Sequence, residues 1–165
     1  ERPLVQRSLN ELHTRTGLTA SYAIRWGDSA VVIENVEPDQ MYRVSPRLGV
    51  QTPLAECAAG VAMLAQDGAA VGDAGPDLSD AIEQTRRRGY AHDHEAHQGV
   101  RSVAAAVGYG GQDSGALVVT GLSFNLNAEA IDVVGPLLAE QAGLLSATVQ
   151  AMLPVQGQPG NVGIA

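Results

Sequence analysis

Residues 92–97, His-Asp-His-Glu-Ala-His, gather the residue types that chelate metals and move protons. On a strand, His92 and His94 share one face. Two imidazoles at that spacing, with His97 as a third ligand, could hold zinc or a similar borderline metal. Asp93, Glu95 and Asp73 could act as acids or bases. No second cysteine completes a ligand set, however, and short histidine-rich tracts are compositional signals that more often mark a polar strand end. Cys57, the one cysteine, falls about where a helix begins, a position that can activate a thiolate. A lone helical cysteine is more often a small buried hydrophobe. Gly108-Tyr109-Gly110-Gly111 lies between two apolar segments with no helix after it, so it reads as a hairpin turn and not a phosphate loop. Neither G-x-S-x-G nor H-E-x-x-H occurs, and no residue is assigned a catalytic role. What remains is a pocket with few polar groups. Ala58, Ala59 and Gly60 offer approachable backbone, Ser102 and Thr120 offer hydroxyls, and Met41 and Val44 offer an apolar wall. Such a site orients a small ligand without requiring chemistry.

These residues must be positioned by a chain of 165 residues, enough for one domain that folds without disulfide or metal. Apolar residues make up 45%, charged residues 17% and aromatics only 4%, so Val, Leu, Ala and Ile must build the core. A single cysteine suits a reducing compartment. The net charge of −8 and only ten Lys and Arg argue against phosphate-backbone binding by this chain. The run Arg86-Arg87-Arg88 fits a helix C-terminus complementing the macrodipole. No apolar run is read as approaching a membrane span of roughly 20 residues. The chain begins with Glu1, which suggests a piece of a longer protein.

Leu4, Val5, Leu9 and Leu12 recur at helical spacing and predict a helix over 2–15, stopped by Gly17. Residues 21–26 and 30–36 read as strands joined at Gly27-Asp28, and 41–44 as a third short strand. Residues 54–66, apolar on nearly all sides, predict a buried helix. A further helix opens on a capping box at Asp80-x-x-Glu83 and ends at Gly89. Strands follow over 90–95, 102–109 and 116–124. A last helix spans 127–152, capped by Asn127 and kinked or divided at Gly135-Pro136. The order is helix, three strands, two helices, three strands, helix, which is α+β. Residues 1–153 form one domain and 154–165 a flexible tail.

Three motifs in this order resemble the effector-binding domain of the IclR family of bacterial transcription regulators. They are LGVQTPLAECAAGVAMLA (48–65), TRRRGYAHDHEAHQGVRSVAAAV (85–107) and SGALVVTG (114–121). The resemblance implies a GAF-like antiparallel sheet of about six strands with helices on its faces. It implies a sensor domain that binds a small organic or aromatic acid and assembles into dimers or tetramers. DNA would be contacted only through an N-terminal winged helix-turn-helix that this chain does not include. It further implies a cytoplasmic, non-enzymatic protein without cofactor or membrane contact. The implied ligand-binding positions are Met41, Val44, Thr52, Ala58, Ala59, Gly60, His92, Ser102, Val118 and Thr120. The sequence departs from the family at Ala55, Val61 and Ala106, where His, Lys and Pro are usual. It departs also at Val118, often a hydroxyl, and at His92, often acidic. The implied pocket is therefore more apolar than one built for very small keto acids. The alternative is a metal-binding module on His92, His94 and His97.

Overall fold

The alternation of branched and small apolar residues along the strands decides how the layers pack. The structure is a computed structural model that describes residues 2–68, 75–93, 98–108 and 113–152. Six strands, β1 (Thr19–Trp26), β2 (Ser29–Val36), β3 (Gln51–Pro53), β4 (Ala91–His92), β5 (Val100–Val107) and β6 (Gly115–Leu122), form one sheet. The strand order is β3-β2-β1-β6-β5-β4, and every neighbouring pair is antiparallel. The helices are α1 (Arg2–Thr16), α2 (Ala58–Asp67), α3 (Pro76–Arg88) and α4 (Ala128–Met152), with a 3-10 turn at Leu54–Glu56 leading into α2. This is the α+β architecture expected from the sequence.

On one sheet face, Val103, Leu117 and Val119 meet Leu9 and Leu12 of α1 and Ile131, Leu138 and Leu145 of α4. Full burial of each such side chain contributes about 1.5–3 kcal/mol. The opposite face carries Ala23, Ala30, Ala91, Ala104, Ala116 and Val118, packed against Leu54 and α2. Small side chains admit the helix closely but cannot fill the layer between sheet and helices. A cavity forms there.

A bulge in β2 assigns residues to these faces. Tyr22 pairs with Glu34 but Ala23 pairs with Val32, leaving Ile33 as the extra residue. An extra residue reverses the two-residue alternation. Ala30 and Val32 therefore face the cavity, whereas Val36 joins the core beside α1. Glu34 points the same way and pairs with Arg2 at 3.6 Å.

Several local expectations are corrected. Residues 41–44 form no strand; the third strand is Gln51–Pro53, and the intervening loop is held by side chains instead. The helix expected over 54–66 divides into the 3-10 turn and α2, because Cys57 is extended (φ −142°, ψ 153°) and caps α2 with its sulfur. Asp80 and Glu83 are interior to α3, which starts a turn earlier at Pro76. Glu83 instead pairs with Arg87 at 2.8 Å. Gly89 does stop α3, at φ 89°, with its N–H donating to the Thr85 carbonyl. Asn127 caps α4 by accepting from the Ala130 N–H at 2.9 Å. Pro136 does not divide α4, which runs unbroken over 25 residues. Core side chains on both sides of the proline dock on one sheet face and offset its cost of about 3 kcal/mol. This helix is also long and apolar enough to cross a membrane, contrary to the sequence reading. Its buried stripe of Ile131, Val134, Leu138, Ala142 and Leu145 makes it a core helix here.

Candidate effector pocket

A cavity of about 770 Å³ lies between the alanine-rich sheet face and the helices. Ala23, Ala30, Val32, Val118 and Thr120 form its floor, Ala58, Ala59 and Val61 of α2 its roof, and Leu78 and Ala81 of α3 one side. Its size falls within the roughly 300–1,000 Å³ of small-molecule sites. Arg47, Val50, Glu56 and Asp77 line it where the chain is exposed.

The polar end is built where β4, β5 and β6 run side by side. Ser102 pairs with Thr120 across the β5–β6 ladder, and their hydroxyl oxygens are 3.1 Å apart. The Ser102 N–H donates to Asp93 Oδ2 at 2.9 Å, and the Asp93 N–H returns a bond to the Ser102 carbonyl at 3.1 Å. His92 Nδ1 lies 2.9 Å from the Asp93 carbonyl oxygen, to which Arg101 also donates at 2.9 Å. Burial pushes the Asp93 carboxyl above its usual range; the Ser102 N–H, the charges of Arg101 and His92, and the Ala58 N–H act against that rise.

A loop covers the pocket beside β1 and β2, fastened by buried hydroxyls. Thr19 Oγ1 donates to the Val44 carbonyl at 2.6 Å. Ser21 Oγ donates to Asn35 Oδ1 at 2.6 Å, and Asn35 Nδ2 donates to the Pro46 carbonyl at 2.8 Å. Thr19 and Ser21 are almost wholly buried, so losing a partner would leave a costly orphan. Glu37 clasps the same loop by accepting from Ser45 and from Arg43, the latter at 2.8 Å. Those bonds hold its carboxyl below the usual range.

Of the residues expected at the pocket, Val44, Thr52, Ala58, Ala59, His92, Ser102, Val118 and Thr120 line this one cavity. Met41 does not; it is 87% exposed on the covering loop, because residues 39–43 turn outward with Arg43 engaged at Glu37 and Gln40. Gly60 does not either. A Cβ there would stand 2.1 Å from the Leu54 carbonyl oxygen, so its face of α2 abuts the 3-10 turn. Asp93 is the pocket residue that sequence reasoning placed elsewhere, as a member of a metal cluster. Ser21, Cys57 and Val100 also line the cavity unforeseen. Burial raises the Cys57 thiol, so it stays protonated and weakly nucleophilic at neutral pH. His94, His97, Glu95 and Asp73 lie outside the described residues, as do Tyr109, Gly110 and Gly111. Among the described residues, no group of three or more His, Cys, Asp and Glu side chains gathers around a possible metal position.

The arginine run is engaged within the fold. Arg86 Nε donates to the Ala65 carbonyl at 3.0 Å, at the C-terminal turn of α2. Arg88 Nε donates to the Tyr90 carbonyl at 2.9 Å, and its guanidinium stacks 4.7 Å above the Tyr90 ring.

The chain matches the family described as bacterial transcriptional regulator IclR, C-terminal, over residues 2–75 and 73–147. No curated protein is significantly similar to it in sequence. Among solved structures, an IclR-family regulator from Rhodococcus sp. is similar at 27% identity and a TM-score of 0.69, over 87% of this chain and 62% of that one. The C-terminal domain of a Vibrio cholerae transcriptional regulator is 25% identical with a TM-score of 0.70, over 87% of this chain and 94% of that domain. Thermotoga maritima IclR shares the fold at 24% identity and a TM-score of 0.73, over 90% of this chain and 68% of its own. The chain thus spans about two thirds of the Rhodococcus and Thermotoga regulators and nearly all of the isolated C-terminal domain. By the match across both halves and by its fold, the chain belongs to the IclR family of bacterial transcriptional regulators, as their C-terminal domain.

Proposed function

We propose that this domain senses a small organic molecule in the cavity over Ser102 and Thr120 and passes its binding on to DNA affinity. The observation that carries the reading is one cavity of small-molecule size that gathers a hydroxyl pair, His92 and Asp93 at one end and aliphatic walls elsewhere. The domain acts in the cytoplasm as part of a longer regulator, assembled as a dimer or tetramer through this region. Only a difference in ligand affinity between two arrangements of the assembly can alter operator binding. The covering loop and α3 are the elements placed to register occupancy, since both border the cavity. The ligand's role is regulatory and requires no bond chemistry.

Thermal denaturation against a broad set of organic acids, alcohols and aromatic compounds tests this. A true ligand at about a hundredfold excess over its Kd stabilises by about 2.7 kcal/mol. For a domain of this size that is roughly 5–10 °C in Tm. Val118→Phe, which fills the floor, should abolish the shift. No response from any compound, or responses that Val118→Phe leaves intact, would remove the reading.

A further inference from the structure

The chemistry of the polar end bears on what kind of molecule fits. The Asp93 carboxylate has about four acceptor directions. The Ser102 N–H fills one at 2.9 Å and the Ala58 N–H contributes a weaker interaction, so accepting capacity is left over. In the Ser102–Thr120 pair one hydroxyl proton is spent on the mutual bond, which leaves one O–H for a ligand. A ligand group that both donates and accepts satisfies the two together. A carboxylate can only accept, and it would set a second negative charge beside Asp93 in a partly buried site. Two carboxylates that share such a site do not both ionise readily. The other charged or titratable side chains lining the cavity are Glu56 and Asp77, against Arg47 and His92. Arg101 also acts on Asp93 but does not line the cavity, so with Asp93 the acidic side chains still outnumber the basic ones along its wall. At the start of α2, the Ala58 N–H is turned to Asp93 and the Gly60 N–H donates to Cys57 Sγ at 3.4 Å.

Resting on the reading of this cavity as the effector site, we infer that its ligand is a neutral, mostly apolar molecule bearing a hydroxyl, not a carboxylic acid. The hydroxyl donates to Asp93 and accepts from the Ser102–Thr120 pair, and the apolar body lies along Ala23, Val32, Ala59 and Val118. This departs from the organic-acid ligand that the sequence resemblance implies.

Matched probes decide it: cyclohexylmethanol against cyclohexanecarboxylate, and benzyl alcohol against benzoate, titrated calorimetrically into the purified chain at neutral pH. The alcohol of each pair should bind about tenfold or more tightly than its acid, the equivalent of one pKa unit of charge repulsion. Asp93→Asn should narrow that ratio by strengthening the acids, while Asp93→Glu should retain it. Acids that bind the unaltered chain as well as their alcohols would overturn the inference. If that acid binding vanishes in Val118→Phe or, should that variant not fold, in Ala59→Leu, the cavity remains the site and only the ligand class falls. If neither acids nor alcohols bind, the effector site itself is wrong and the inference falls with it.

Discussion

Asp93 shows how one side chain ties stability to function. Its carboxyl is raised by burial, and the groups that face it are His92 beside it, Arg101 on β5, and Cys57 and Ala58 at the start of α2. A raised carboxyl protonates more readily in the folded than in the unfolded state. Above the folded value it therefore subtracts from stability, and the loss is relieved as pH falls through that value toward the ordinary 3.8. Asp93→Asn keeps an acceptor for the Ser102 N–H but carries no charge. It should melt higher than the unaltered chain at neutral pH, and the difference should shrink on acidification and close near pH 4. A lower Tm for Asp93→Asn at neutral pH would show that its hydrogen bonds outweigh its desolvation. The residue was legible in the sequence as chemistry but not as a pocket wall. Strict strand alternation puts residues 92 and 93 on opposite faces, yet β4 ends at His92 and both residues line the cavity.

At the scale of elements, the pocket depends on α2 seating against the 3-10 turn and on the covering loop staying down. Gly60 allows the first. An added methyl would overlap the Leu54 backbone at 2.1–2.5 Å, which rotamer changes cannot relieve. Gly60→Ala should cost about 1–3 kcal/mol, read as a lower urea midpoint at unchanged slope. It should also displace Ala58 and Ala59 from the roof and weaken ligand response. Asn35 secures the second through Ser21 and Pro46. Asn35→Ala strands the buried Ser21 hydroxyl at a cost of about 1–3 kcal/mol. It should speed hydrogen exchange across residues 44–50 beyond any change in α4. Periodicity made α1, β1, β2, β5, β6 and α4 legible, because each is long and seats apolar residues at its own repeat. It missed β3, three residues ending in proline, and read the loop segment 41–44 as a strand. Loop placement here comes from side-chain bonds to distant residues, such as Thr19 to Val44, which no local pattern encodes.

Across the whole molecule, the sheet separates two apolar layers with different tasks. Branched residues and two helices fill one layer, while alanines leave the other partly hollow. Stability and ligand response should therefore be separable by face. Leu138, fully buried between α4 and the sheet, anchors the dense layer. Leu138→Ala should cost about 3 kcal/mol, or roughly 6–12 °C in Tm, yet leave ligand Kd within about twofold. Val118→Phe has space to occupy in the hollow layer, so it should change Tm far less while abolishing binding. Sites on opposite faces with no shared partner should add, so the double variant should melt at the sum of the two single shifts. A Leu138→Ala variant that loses ligand affinity in proportion to its stability would mean that the layers act as one unit. The dense core would then set the shape of the pocket, and α4 would become a route by which occupancy is felt beyond the sheet.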